Sequence, residues 1–127
     1  AERAALFPPG WFEHWADATF ATDPEGARRV PSVLRVPNGP AADARDSWAA
    51  GRPWFDPARV AAPALVIVAE WDPLSPPART LGLFQALSAS PGKRFVVLDR
   101  GTHGIMLQRN RGALYQAVQG FLLEGAA

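Results

Sequence analysis

The chain has 127 residues, 48% of them hydrophobic and 20% charged, with a formal net charge of +1. That balance suits an ordinary globular protein with room for one domain and a sizeable core. Basic residues do not cluster with interleaved aromatics, so no nucleic-acid partner is expected. The absence of cysteine excludes disulfides, thiolate metal sites and a cysteine nucleophile together. The apolar runs are short beside the roughly 20 residues of a membrane span, and no basic head with a long apolar core opens the chain. The expectation is a cytoplasmic protein with no membrane span.

A short lead ends in Pro8 and Pro9. After Gly10, Trp11, Trp15 and Ala18 or Thr19 recur at helical spacing, which predicts a helix over about 10–22. His14, between two of the tryptophans, reads as a half-exposed helix residue. Asp23 before Pro24 is a start signal for a second helical turn. Pro31 breaks the alternation from Val30 to Val36, and the run Pro37-Asn38-Gly39-Pro40 is a turn. Residues 41–50 predict another short helix, with Trp48 buried and Gly51 ending it. Pro53, Pro57 and Pro63 then confine residues 52–63 to a connector. Four of the five tryptophans precede this point, and no strand is evident there.

The next stretch organises the rest. Leu65, Val66, Ile67, Val68 and Ala69 form a branched apolar run without polar alternation, which predicts a strand buried on both faces as in a parallel sheet. It stops at Glu70, Trp71 and Asp72. Ser75 reads as an N-cap with Pro76 at the first helical position, and Leu81, Phe84 and Leu87 mark one face of a helix to about Ser88. Residues 94–99 predict a second buried strand. After Arg100-Gly101-Thr102-His103-Gly104, a last helix carries a stripe through Leu107, Leu114, Val118, Phe121 and Leu122, with Arg111 as its polar exception and Tyr115 at its flank. Strand, helix, strand, helix implies parallel pairing through a right-handed crossover. Two such strands do not make a stable sheet, so further strands are expected from another polypeptide segment.

Asp72 follows one strand and His103 the next, so parallel pairing brings both to one rim. A buried carboxylate that accepts from one imidazole nitrogen fixes the tautomer and frees the other nitrogen to take a proton. Taken alone, Asp72 is a turn residue and His103 a solvated loop histidine; their equivalent positions on successive strands favour the pair. A nucleotide site is disfavoured, because neither a phosphate-binding loop nor a G-x-G-x-x-G turn accompanies the strand. No third or fourth ligand joins Asp72 and His103, so no metal and no cofactor are expected.

The segment from Asp56 to Pro77, followed by the segment from Lys93 to Leu122, resembles the C-terminal part of an α/β-hydrolase. It is similar to the esterase, lipase and lysophospholipase-like branch, to which the Arg109-Asn110-Arg111 run adds. The resemblance implies an α/β fold: residues 56–127 as the last two parallel strands with their flanking helices, residues 1–55 as a helical cap or lid portion, and a sheet completed elsewhere. It implies Asp72 as the acid and His103 as the base of a Ser-Asp-His triad acting on a small-molecule carboxylic ester. Trp11, Trp15, Trp48 and Trp71 would line or flank the substrate pocket. The G-x-S-x-G elbow is absent, and Ser32, Ser47, Ser75 and Ser88 lie on no such turn. The expected partner is therefore an N-terminal part of the same hydrolase, on a separate segment or a cleaved or split chain. Two alternatives remain at this stage: an Asp nucleophile on that part, as in haloalkane dehalogenases and epoxide hydrolases, or a non-catalytic structural or regulatory subunit.

Overall fold

The computed structural model describes residues 3–52 and 54–124. They divide into two compact units, one of Ala1–Pro8 with Pro57–Ala127 and one of Pro9–Asp56.

The Pro9–Asp56 unit begins with helix α1 (Trp11–Ala21), entered from Gly10 in a left-handed conformation at φ 76°. Asp23 then starts α2 (Pro24–Ala27), its side chain accepting from the Gly26 amide at 3.2 Å with Pro24 in the first turn. Both elements fall where proline and helical spacing put them. The buried Asp23 carboxylate also takes a two-pronged contact from Arg35, Nε at 2.8 Å and Nη2 at 2.5 Å, and the Arg35 backbone amide at 3.0 Å. The Arg35 guanidinium and these amides outweigh burial and hold the Asp23 carboxyl well below the usual carboxylate range. This clasp folds residues 28–35 back on α2, where the Val33 amide donates to the Gly26 carbonyl at 3.1 Å. The helix predicted over 41–50 is split into α3 (Gly39–Asp43) and a wider turn over Ala44–Trp48, and Gly51 takes φ 68° beyond it. The side chain of Trp48, expected to be buried, lies outside the described residues.

In the other unit, β1 (Ala64–Ala69) and β2 (Lys93–Leu98) pair in parallel, in register from Ala64 opposite Lys93 to Ala69 opposite Leu98. Helix α4 (Pro77–Ala86) connects them and α5 (Arg111–Glu124) follows, as in a partial α/β-hydrolase fold. Ala69, Leu98 and Ile105 form the buried cluster, with Ile67, Val96, Ala113 and Leu114 packed against it. Lys93 donates to the Phe84 carbonyl at the end of α4 at 3.0 Å and lies over the Phe84 ring.

Three local expectations change. Ser75 is not the cap of α4: the helix starts one residue later, at Pro77, with no side-chain cap, because a residue before proline is pushed out of the helical region and Pro76, which precedes Pro77, stays extended at ψ 144°. The last helix begins at Arg111, and Leu107 sits in a separate 3-10 turn, Ile105–Leu107. Finally, β1 is buried only at Val68 and Ala69, and Val97 of β2 is 46% exposed. The sheet has two strands among the described residues, too few to cover both faces. On α5, Leu122 and Leu123 are both about two-thirds exposed, at 65% and 64%.

The clasp yields a sharp prediction. A Cβ on Gly26 would stand 2.1 Å from the Val33 carbonyl oxygen, a backbone atom that no rotamer change can move. Gly26→Ala is expected to destabilise the chain by about 1–3 kcal/mol. Gly39→Ala, with nothing within 4 Å of the added atom, should stay within about 0.5 kcal/mol of wild type in the same denaturant titration.

Candidate active site

The β1–β2 pairing continues past the strands. The Glu70 amide donates to the Leu98 carbonyl at 2.8 Å, and the Trp71 amide to the Gly101 carbonyl at 2.8 Å. Arg100, at φ 46°, turns the chain there, its amide donating to Glu70 Oε2 at 2.9 Å. The two connections therefore leave the sheet side by side. Gly101 lies flat on the end of β1: a Cβ there would meet Ile105 Cδ1 at 2.2 Å and Ala69 Cβ at 3.2 Å.

On this rim Asp72 and His103 meet, with His103 Nδ1 2.8 Å from Asp72 Oδ2. The second carboxylate oxygen accepts from the amides of Leu74 at 2.9 Å and Ser75 at 3.0 Å. The Asp72 side chain is 7% exposed and that of His103 is 61% exposed. The acid is thus enclosed and hydrogen-bonded on both oxygens, while the imidazole is presented outward with Nε2 on the far side of its ring. Burial pushes the Asp72 carboxyl up; the Ser75 amide, the His103 contact and the Leu74 amide outweigh it, so the group lies below its ordinary value and stays ionised. A buried carboxylate held in this way orients a ring and favours a proton on its near nitrogen, which leaves the far nitrogen able to accept one.

A cleft of about 230 Å³ opens at the pair, lined by Asp72, Ser75, His103 and Met106 among others. A larger groove of about 660 Å³ lies at the opposite ends of the strands, beside Pro63, Gly92, Arg94 and Phe121, and contains no side chain of the pair. Trp71, 38% exposed, adjoins Asp72 in sequence. Trp11 and Trp15 are on α1 in the other unit, both partly exposed, with Trp15 packed against Phe12 at 5.6 Å between ring centroids. Among the described residues no group of three or more His, Cys, Asp or Glu is arranged to hold a metal ion. Among them, too, no helix is long and apolar enough to cross a membrane.

The structure adds one residue that the sequence does not single out. Gln108 is fully buried, its Oε1 accepting from the Thr102 amide at 3.0 Å and its Nε2 donating to Thr102 Oγ1 at 2.5 Å. Nothing in the sequence marks it, because a glutamine between Leu107 and Arg109 looks like a solvated residue.

The depressed Asp72 pKa has a definite sign in stability. Its contribution is fully present above the unfolded carboxylate value of about 3.9 and is lost as pH falls through the lower folded value. Melting temperatures of wild type and Asp72→Asn should therefore differ most near neutral pH and converge below about pH 4. Carboxylates common to both proteins cancel in that comparison.

Residues 41–127, well over half of the chain, match the family model Abhydrolase_4, described as TAP-like protein. No curated protein and no solved structure matches the chain. The matched span contains both strands, both helices packed beside them and the Asp72–His103 rim. By its parallel strand pair and by this match, the chain belongs to the TAP-like family of the α/β-hydrolase superfamily.

Proposed function

We propose that this chain supplies the acid and base of a serine hydrolase acting on carboxylic esters, in the esterase, lipase and lysophospholipase-like branch of the superfamily. The observation that carries the reading is the 2.8 Å contact between His103 Nδ1 and the enclosed Asp72 carboxylate. In this reading residues 56–127 are the C-terminal portion of the hydrolase core and residues 1–55 a portion of its cap.

A seryl hydroxyl on a partner segment attacks the ester carbonyl while His103 Nε2 takes its proton. Asp72 holds the ring in the competent tautomer and stabilises the imidazolium that forms. His103 returns the proton to the leaving alcohol, and a water activated by the same nitrogen releases the acid. The partner is the N-terminal part of the same hydrolase, carrying the G-x-S-x-G elbow. Two features support it: the two-stranded sheet with its half-covered β1, and the exposed apolar residues Val97, Leu122 and Leu123. Trp71 flanks the acyl pocket, and Trp11 and Trp15 belong to the cap portion in this reading.

The test uses the hydrolase assembled with the segment that carries the nucleophile, assayed on p-nitrophenyl esters of graded acyl length. His103→Ala and Asp72→Asn are each expected to lower kcat by about 10³–10⁴-fold with the fold retained. Unchanged ester hydrolysis in His103→Ala would falsify the acid–base assignment.

A further inference from the structure

We infer that Gln108 is a positioning residue, which holds the His103 imidazole in line with Asp72 by clamping Thr102. The inference rests on the assignment of Asp72 and His103 as acid and base. His103 is poorly held by its own packing: its side chain is 61% exposed, and the polar contact that orients it is the one to Asp72. The direction of the ring is therefore set by the backbone on either side of residue 103.

On the C-terminal side, the Ile105 amide donates to the Thr102 carbonyl at 3.0 Å and the Ile105 side chain enters the buried cluster. On the N-terminal side, the Gly101 carbonyl is tied to the Trp71 amide next to Asp72. Thr102 lies between these anchors, and Gln108 grips it twice. A side-chain amide has an acceptor and donors at fixed spacing. Here the acceptor takes the Thr102 N–H and a donor reaches Thr102 Oγ1, closing a small ring of two hydrogen bonds. Thr102 Oγ1 also lies within 3.4 Å of the Gly104 amide, on the other side of His103. Gln108 is fully buried, where an apolar residue of equal size would fill the space without the desolvation that a buried amide suffers. What the amide adds is direction: it fixes the plane of the 101–102 peptide and the Thr102 side chain together. Releasing it frees the 102–104 backbone to rotate, and His103 Nδ1 leaves Asp72 Oδ2.

The test again uses the assembled hydrolase, with kcat expressed per nucleophile titrated by a covalent serine reagent, and with the His103 Nδ1 proton followed by NMR. Gln108→Met keeps the volume and removes both bonds. Thr102→Val keeps the shape and removes the hydroxyl, and Thr102→Ser retains it. Gln108→Met should lower kcat per titrated site by about 10–100-fold with KM nearly unchanged, and should weaken or lose the Nδ1 proton signal. Thr102→Val should fall in the same direction, Thr102→Ser should stay near wild type, and the Gln108→Met/Thr102→Val pair should be no slower than Gln108→Met alone. A kcat per titrated site and an Nδ1 signal that both match wild type in Gln108→Met overturn the proposal. So does a change confined to KM. If Gln108→Met fails to fold, Thr102→Val and Thr102→Ser decide alike: a kcat loss in the first and not the second supports the clamp, and equal kcat in both overturns it. His103→Ala, run alongside, separates the two claims. Full activity there removes the acid–base assignment itself, whereas an inactive His103→Ala beside a normal Gln108→Met removes only the clamp.

Discussion

The parallel register of β1 and β2 is the constraint on which the candidate site depends. Ala69 lies opposite Leu98, so both strands end at one level, and two further amide–carbonyl bonds, Glu70 to Leu98 and Trp71 to Gly101, keep the departing chains together. Asp72 and His103, 31 positions apart in sequence, then stand within hydrogen-bond distance. A shift of one residue in this pairing would move one partner by about 3.3 Å along the strand and turn its neighbours to the other face. Gly101 is the point of closest approach. The absence of a side chain lets the His103 connection lie on the Ala69 end of β1, against Ile105.

The chain uses a buried aspartate twice, and the difference between the two explains why only one reads as a site. Asp23 is satisfied by Arg35, a partner charged at every relevant pH, and by the Gly26 and Arg35 amides, which close a loop within one unit. Its partners have no proton to exchange. Asp72 also accepts two amides, but its third partner is an imidazole with a second nitrogen facing outward. Both carboxylates are stabilised in the ionised form. Only Asp72 is coupled to a group that can carry a proton to something else.

Some of this was legible in the sequence for direct local reasons. The branched run ending at Ala69 has no polar alternation and became β1; Asp23 before Pro24 became a helix start; Trp11 and Trp15 at a spacing of one turn lie on α1. The placement of Asp72 and His103 at the ends of successive strands could be read once the pairing was taken as parallel. Ser75 misled, because a serine before proline has the local chemistry of a cap, yet the second proline, Pro77, keeps Pro76 extended and moves the helix start one residue on. The incomplete burial of β1 was equally hidden: apolar composition records what a strand wants to cover, not whether a neighbour is present. Leu122 and Leu123 belong to the same account, since α5 carries more apolar surface than one thin sheet can hide.

The sequence by itself determined the elements and their order, because helix starts, strand hydrophobicity and proline breaks act over a few neighbouring residues. It also determined the kind of chemistry available, an ionisable pair with no cysteine and no nucleophile elbow of its own. Only the tertiary structure decided that the Asp72 carboxylate is enclosed and held by two amides, and that Gln108 is buried against Thr102. Those facts depend on which backbone groups are left unpaired when the β1 and β2 connections meet. Bonds formed between segments distant in sequence leave no local pattern to read.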